Sequence, residues 1–173
     1  MDRVAHRPLT LASQGHEGVV DVITPQPPAA GIHLPRPRVS ALLFGGLSRR
    51  LTVLLAPAGY GKTSALRAFV GAAGLPVLWL DRPFETEWRG FLQQLGEGVA
   101  RELRGGTSLV RALYGGGLPE DPLPLLLADL SAVAGDHVLV FDDLRPVPGH
   151  SPVADLIGRL AESAGERTHI YIA

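Results

Sequence analysis

"LTVLLAPAGYGKTSALRAFV", residues Leu51 to Val70, decides the fold. Its first six residues, Leu51 to Ala56, form an apolar run of the length expected for a fully buried strand. A turn containing Gly59 and Gly61 follows. Then Leu66, Phe69 and Val70 recur at i, i+3, i+4, the buried face of a helix that Gly71 and Gly74 bring towards its stop. Strand, glycine turn and helix around Gly59-Tyr60-Gly61-Lys62-Thr63 make the context of a phosphate-binding loop, written G-x-x-x-x-G-K-[ST]. In such a loop the glycines fold the backbone into a nest of N–H groups aimed at one anion, and the helix N-terminus adds partial positive charge. Ala56 stands at the first glycine position, where smallness and ordinary dihedrals suffice. The residues expected to hold nucleotide are therefore Ala56, Pro57, Ala58, Gly59, Tyr60, Gly61, Lys62, Thr63 and Ser64. Lys62 is expected to reach the β- and γ-phosphates as a catalytic cation, and Thr63 to offer its hydroxyl to Mg²⁺.

Outward from this core, strand and helix patterns alternate. "VSALLFGGL" (39–47) reads as a short helix before the loop strand, and "PVLWLD" (76–81) as the next strand. Trp88, Phe91, Leu92, Leu95 and Val99 follow with helical period, preceded by Glu85 and Glu87 where the helix dipole favours negative charge. "RGGTSLVRALYGGGLPE" (104–120) reads as a glycine-rich connection holding one short helical turn. Asp121 as N-cap and Pro122 at the first helical position open "PLPLLLADLSAVAG". "HVLVFDD" (137–143) is a strand. Ser151 and Pro152 start a helix with an apolar stripe of Val153, Leu156, Ile157 and Leu160, closed by Gly165, and "THIYIA" (168–173) is a last strand. The alternation predicts an α/β protein with a parallel sheet covered on both faces. Residues 1–37 are rich in proline and read as a mostly irregular arm, with Val19 to Ile23 as a short strand inside it; residues 38–173 form the core.

The Asp142-Asp143 pair ends the "VLVFDD" strand, 80 residues after Lys62, where ligands bind in open α/β sheets. Asp142 is expected to contact Mg²⁺, largely through water, and Asp143 to orient or deprotonate an attacking water. Arg36 and Arg38 precede the loop and either flank a nucleotide base or form a solvated basic pair. Asp81 ends the second strand on the same sheet edge and either coordinates water or caps the next turn. Trp79 and Trp88 are expected in the core. The six histidines show no metal-ligand spacing, so Mg²⁺ is the one metal implied.

Composition narrows the function classes. Sixteen Lys+Arg against 17 Asp+Glu leave a net charge of −1 with no long run of either sign, which gives no electrostatic basis for binding nucleic acid or anionic membrane. The chain has no cysteine, so disulfides and thiolate zinc sites are excluded. No segment approaches the roughly 18 uninterrupted apolar residues of a membrane span, and a cytoplasmic location is expected.

The ordered set "LPRPRVSALL", "RRLTVLLAPAGYGKTSAL", "PVLWLD", Phe91-Leu92, "VLVFDDL" and "THIYIA" resembles the N-terminal ATPase domain of the large ATP-binding LuxR-type transcriptional regulators. That group includes the maltose-regulon activator and belongs to the signal-transduction ATPases with numerous domains (STAND), a branch of the P-loop NTPases. The resemblance covers about Ile32 to Ala173. "APAGYGKT" is its most specific element, because alanine or serine is common in the family at the position of Ala56. It implies a three-layer P-loop NTPase fold of the ASCE/STAND type with ATP and Mg²⁺ as ligands. It assigns Asp142 and Asp143 to Mg²⁺ and water activation, and places Arg36 and Arg38 near the adenine. It implies the strand order 5-1-4-3-2, so "THIYIA" would lie between the loop strand and the Asp-Asp strand. Relative to the family the chain departs by its shorter stretch after Trp79, by Leu144-Arg145-Pro146 after the acid pair, and by ending before the last strand and the lid. The loop strand is thereby expected at an exposed edge. The function expected is an ATP·Mg²⁺-binding regulatory NTPase domain with slow or no hydrolysis, a regulatory partner or self-association, and no direct DNA binding by this chain. The alternatives are a non-catalytic remnant or interaction module of the same fold and a small P-loop kinase; a kinase needs a lid bearing arginines and an acceptor pocket, and Arg101 and Arg104 sit in a helix end before "GGTS" with no convincing lid following them.

Overall fold

The computed structural model describes residues 36–81, 87–144 and 151–173, all within the unit Leu34–Ala173. The proposed arm before Arg36, its Val19 to Ile23 strand, Glu85 and the Arg145-Pro146 departure lie outside the described residues.

In chain order the elements are α1 (Pro37–Gly45), a 3₁₀ turn (Gly46–Ser48), β1 (Leu51–Val53), α2 (Lys62–Ala73), β2 (Val77–Asp81), α3 (Trp88–Glu102), α4 (Ser108–Gly115), α5 (Leu123–Ser131), β3 (His137–Asp142), α6 (Pro152–Ser163) and β4 (Thr168–Ile172). The four strands form one sheet in the order β1-β4-β3-β2, parallel throughout. Thus β4 lies between β1 and β3.

Strand periodicity divides the core into two layers. On β3, Val138 and Val140 face one side with Leu43 of α1, Leu66 and Phe69 of α2, and Tyr171 of β4. Leu139 and Phe141 face the other, with Leu78, Leu80, Ile170 and the apolar stripes of α3, α4, α5 and α6. Every residue of β3 is buried, as a strand covered on both faces requires. The α1 layer is pinned by the Tyr171 hydroxyl, which donates to Leu43 O at 2.8 Å, and by the edge-on Phe44–Phe69 contact at 5.2 Å. A Cβ at Gly46 would stand 2.5 Å from Thr52 Oγ1 and 2.7 Å from the Tyr171 hydroxyl, so the approach of α1 to the sheet needs glycine there.

Four expectations are corrected. β1 covers three residues rather than six, and it is not buried: Leu51 is 38% exposed, Val53 49% and Leu55 90%. Among the described residues it pairs with β4 alone, and the ladder ends after Leu54 N donates to Ile172 O at 2.8 Å. The glycine-rich connection holds a two-turn helix, α4, whose Leu109 and Leu113 are fully packed. Its first turn is capped from outside: the buried Asp129 carboxylate of α5 accepts from Ser108 N at 2.7 Å and Leu109 N at 2.9 Å. α5 begins at Leu123 and ends at Ser131, with Pro122 rather than Asp121 as its N-cap; Asp121, one residue further out, accepts from Leu123 N at 3.1 Å. Trp79 and Trp88 are half-buried, each packed on the margin of a core layer.

At the end of the sheet where β3 and β4 begin, two buried histidines sit side by side. His137 Nδ1 faces Gly135 O at 3.1 Å and Nε2 faces the Thr168 hydroxyl at 2.9 Å. A carbonyl only accepts, so Nδ1 carries the proton and Nε2 receives the hydroxyl hydrogen, the pattern of a neutral ring. Burial, with help from neighbouring His169 and Arg167, holds the His137 pKa below its ordinary value; the Gly135 carbonyl and Asp136 oppose this. His169 Nδ1 faces Arg49 O at 3.1 Å and Nε2 faces Asp136 Oδ1 at 3.3 Å.

Candidate functional site

Strand register brings the chemistry to the opposite end. Val53 of β1 and Phe141 of β3 both pair with Ile172, and Asp81 pairs with Asp142, so the loop after β1 and both acidic strand ends share one rim.

The loop itself is shaped by Gly59 at φ +82° and Gly61 at φ +75°, left-handed conformations that L side chains rarely adopt. Tyr60 N turns back to Pro57 O at 3.4 Å, and Ala65 N donates to Gly61 O at 3.0 Å, starting α2. Gly61 is the α2 N-cap and has no side chain with which to cap it. The amides of the first helical turn are thus presented to whatever occupies the loop's concavity. Ala56 has no left-handed backbone; among described non-glycine residues only Arg104 and Asp143 do. Its contribution is its carbonyl, which accepts from Lys62 Nζ at 2.9 Å.

Thr63 and Asp142 are brought together. The Thr63 hydroxyl donates to Asp142 Oδ1 at 3.1 Å, and Asp143 N donates to the same oxygen at 3.1 Å. Asp142 is 4% exposed, and burial pushes its pKa above the ordinary carboxylate value. The Thr63 hydrogen bond opposes that, Asp81 adds to it, and the Asp143 amide and Arg67 pull the other way. Asp143 turns the chain at φ +58°, an unusual conformation for a residue with a side chain. Asp81 accepts from Trp79 Nε1 at 2.7 Å, and the Arg67 guanidinium lies 5.6 Å from the Trp79 ring centre. Asp81 is therefore engaged with its own strand's indole.

Beside the loop runs an open groove of about 670 Å³ between α1, β1 and the start of α2, with Arg36, Leu42, Leu51, Val53, Tyr60 and Lys62 among its walls. Its size falls in the range of small-molecule clefts. Arg36 enters the groove from the α1 N-terminus and donates through NH1 to Tyr60 O at 2.6 Å. Arg38 is exposed in the first turn of α1, and Ser64 is exposed in the first turn of α2. Arg101 pairs with its neighbour Glu102 at 2.9 Å. The Arg36–Tyr60 contact was not foreseen from the residues, because the partner is a main-chain oxygen with no residue-type signature.

The arrangement sets anion-binding amides and a lysine beside oxygen groups of the kind a hard cation takes. A Cβ at either loop glycine would be strained by its backbone, Lys62 Nζ donates to a carbonyl of the same loop, and a hydroxyl meets a buried carboxylate. Among the described residues no group of three or more His, Cys, Asp or Glu is placed to hold a metal ion. A cation here would rest on Thr63, Asp142, phosphate oxygens and water, as Mg²⁺ commonly does. No helix among the described residues is long and apolar enough to cross a membrane. No family model matches the chain, and no curated protein matches it.

Proposed function

We propose that this chain is an ATP·Mg²⁺-binding regulatory NTPase domain with the three-layer P-loop fold, of the STAND type found in LuxR-type transcriptional regulators, with slow or no hydrolysis. The observation that carries the binding function is the Thr63–Asp142 hydrogen bond, which joins the end of the glycine loop to the buried acid of the central strand. Both groups have oxygen lone pairs to offer a hard cation. Lys62, the α2 N-terminal amides and the two left-handed glycines supply the anion side. Mg²⁺ bound with the triphosphate neutralises phosphate charge. Asp143, turned at φ +58° beside Asp142, orients water. The regulatory setting rests on the family resemblance: nucleotide favours one conformation and biases an equilibrium.

Titration of the purified chain with Mg·ATP and with a nonhydrolysable analogue, followed by a phosphate-release assay, tests this. Binding that is lost in Lys62→Ala, with little or no phosphate released, is the expected result. Absence of binding, or binding indifferent to Lys62→Ala, overturns it in favour of an interaction module of the same fold. Transfer of phosphate to a small acceptor overturns it in favour of a kinase.

A further inference from the structure

Arg36 is fixed before it reaches the loop. Its carbonyl accepts from Ser40 N at 2.9 Å, Pro37 sets the first helical position of α1, and α1 is held to Tyr171 of β4 through Leu43 O and to Phe69 of α2 through Phe44. From that base the guanidinium spans to the loop crest, donating to Tyr60 O at 2.6 Å. It also overlies Gly61, whose hypothetical Cβ would stand 3.6 Å from both NH1 and NH2. Tyr60 and Gly61 are the two residues that turn the loop into α2, and the Tyr60 ring itself is 63% exposed. What Arg36 grips is therefore the main chain of the anion nest.

We propose that Arg36 is a positioning residue of the loop: it locks the Tyr60–Gly61 crest so that the loop amides converge on a polyphosphate, and its effect falls on phosphate binding rather than on recognition of a base. This rests on the nucleotide-binding function above. Lys62 holds the loop's first carbonyl and Arg36 its last turn, so two cations fix the concavity from opposite ends. Locking a nest in advance removes an ordering cost from binding.

The test uses the whole chain with Mg·ATP and Mg·tripolyphosphate as probes, in wild type, Arg36→Ala and Arg36→Lys, with amide hydrogen exchange of residues 58–63 measured in the ligand-free proteins. A hydrogen bond from a charged donor predicts that Arg36→Ala weakens both probes by the same factor, on the order of tenfold. Arg36→Lys, which restores one charged donor, recovers part of it. Exchange of the loop amides accelerates in Arg36→Ala while that of β3 stays as in wild type. Loss confined to ATP overturns the proposal and assigns the guanidinium to the base; unchanged affinity for both probes, or unchanged loop exchange, overturns it outright. If wild type binds neither probe, the nucleotide function fails, and the exchange measurement alone decides whether Arg36 holds the loop.

Discussion

Thr63 and Asp142 stand 79 positions apart in the chain, yet the hydroxyl of one lies 3.1 Å from the carboxylate of the other. The contact exists because β1 and β3 both register against β4, which brings the start of α2 over the end of β3. Thr63→Ala removes the hydroxyl but leaves Asp142 its Asp143 amide donor. The expected outcome is a folded protein whose Mg²⁺-dependent gain in ATP affinity falls by roughly 10- to 100-fold, as for loss of an interaction with a charged partner. Calorimetric titration with Mg²⁺ and with excess chelator reads it. An equal fall in both conditions would remove Thr63 from the cation site.

Asp143 separates conformation from chemistry. At φ +58° asparagine is tolerated and alanine is not, so Asp143→Ala should be about 1 kcal/mol less stable than Asp143→Asn. Both should bind Mg·ATP, and whatever slow phosphate release wild type shows above background should be lost in both. Phosphate release by Asp143→Asn at the wild-type rate would show that the carboxylate does not serve the water.

The Asp129 cap predicts a stability effect far from the site. Asp129→Ala leaves two amides, those of Ser108 and Leu109, without their acceptor in a packed region, at a cost of about 2–4 kcal/mol. Asp129→Asn retains one acceptor oxygen and should lose less. Denaturant melts check this, and a loss below the scatter of exposed-site variants would contradict the buried cap.

His137 predicts a pH dependence of a definite sign. Its pKa in the folded chain lies below the ordinary 6.5, so the unfolded chain takes up the proton first as the solution is acidified. The contribution to stability is complete above pH 6.5, is lost as pH falls from there towards the depressed value, and is flat below it. The slope is at most about 1.4 kcal/mol per pH unit for one proton. Urea melts of wild type and His137→Gln at several pH values isolate it, since His169, Asp136 and Arg167 are common to both. Equal slopes in the two proteins would contradict a neutral buried ring.

What could be read from residues alone was what short-range chemistry determines. Gly59, Gly61, Lys62 and Thr63 lie within five positions, and the turn they specify is written in adjacent residues. The apolar run into Asp142 likewise announces a covered strand with an acid at its end. Non-local partners hid the rest. Leu109 and Leu113 already stood at i, i+4, but flanking glycines masked them, and the carboxylate that caps α4 comes from α5. β1 has the composition of a central strand and the exposure of an edge, since exposure depends on which strands lie beside it. The observed order β1-β4-β3-β2 matches the order that the family resemblance implied for those four strands, and no local pattern carries it.

The insertion of β4 between β1 and β3 also has a consequence for the birth of the protein. Residues Leu51–Val53 find their sheet partner only when Thr168–Ile172 has emerged from the ribosome. Until then the glycine loop hangs from a strand with no other neighbour among the described residues, and a sheet closed by such a distant segment is slow to form. If the chain binds nucleotide as proposed, capture would report closure of the β1–β4 pair, and a stalled nascent chain lacking the last few residues of β4 should carry every loop residue and still fail to bind.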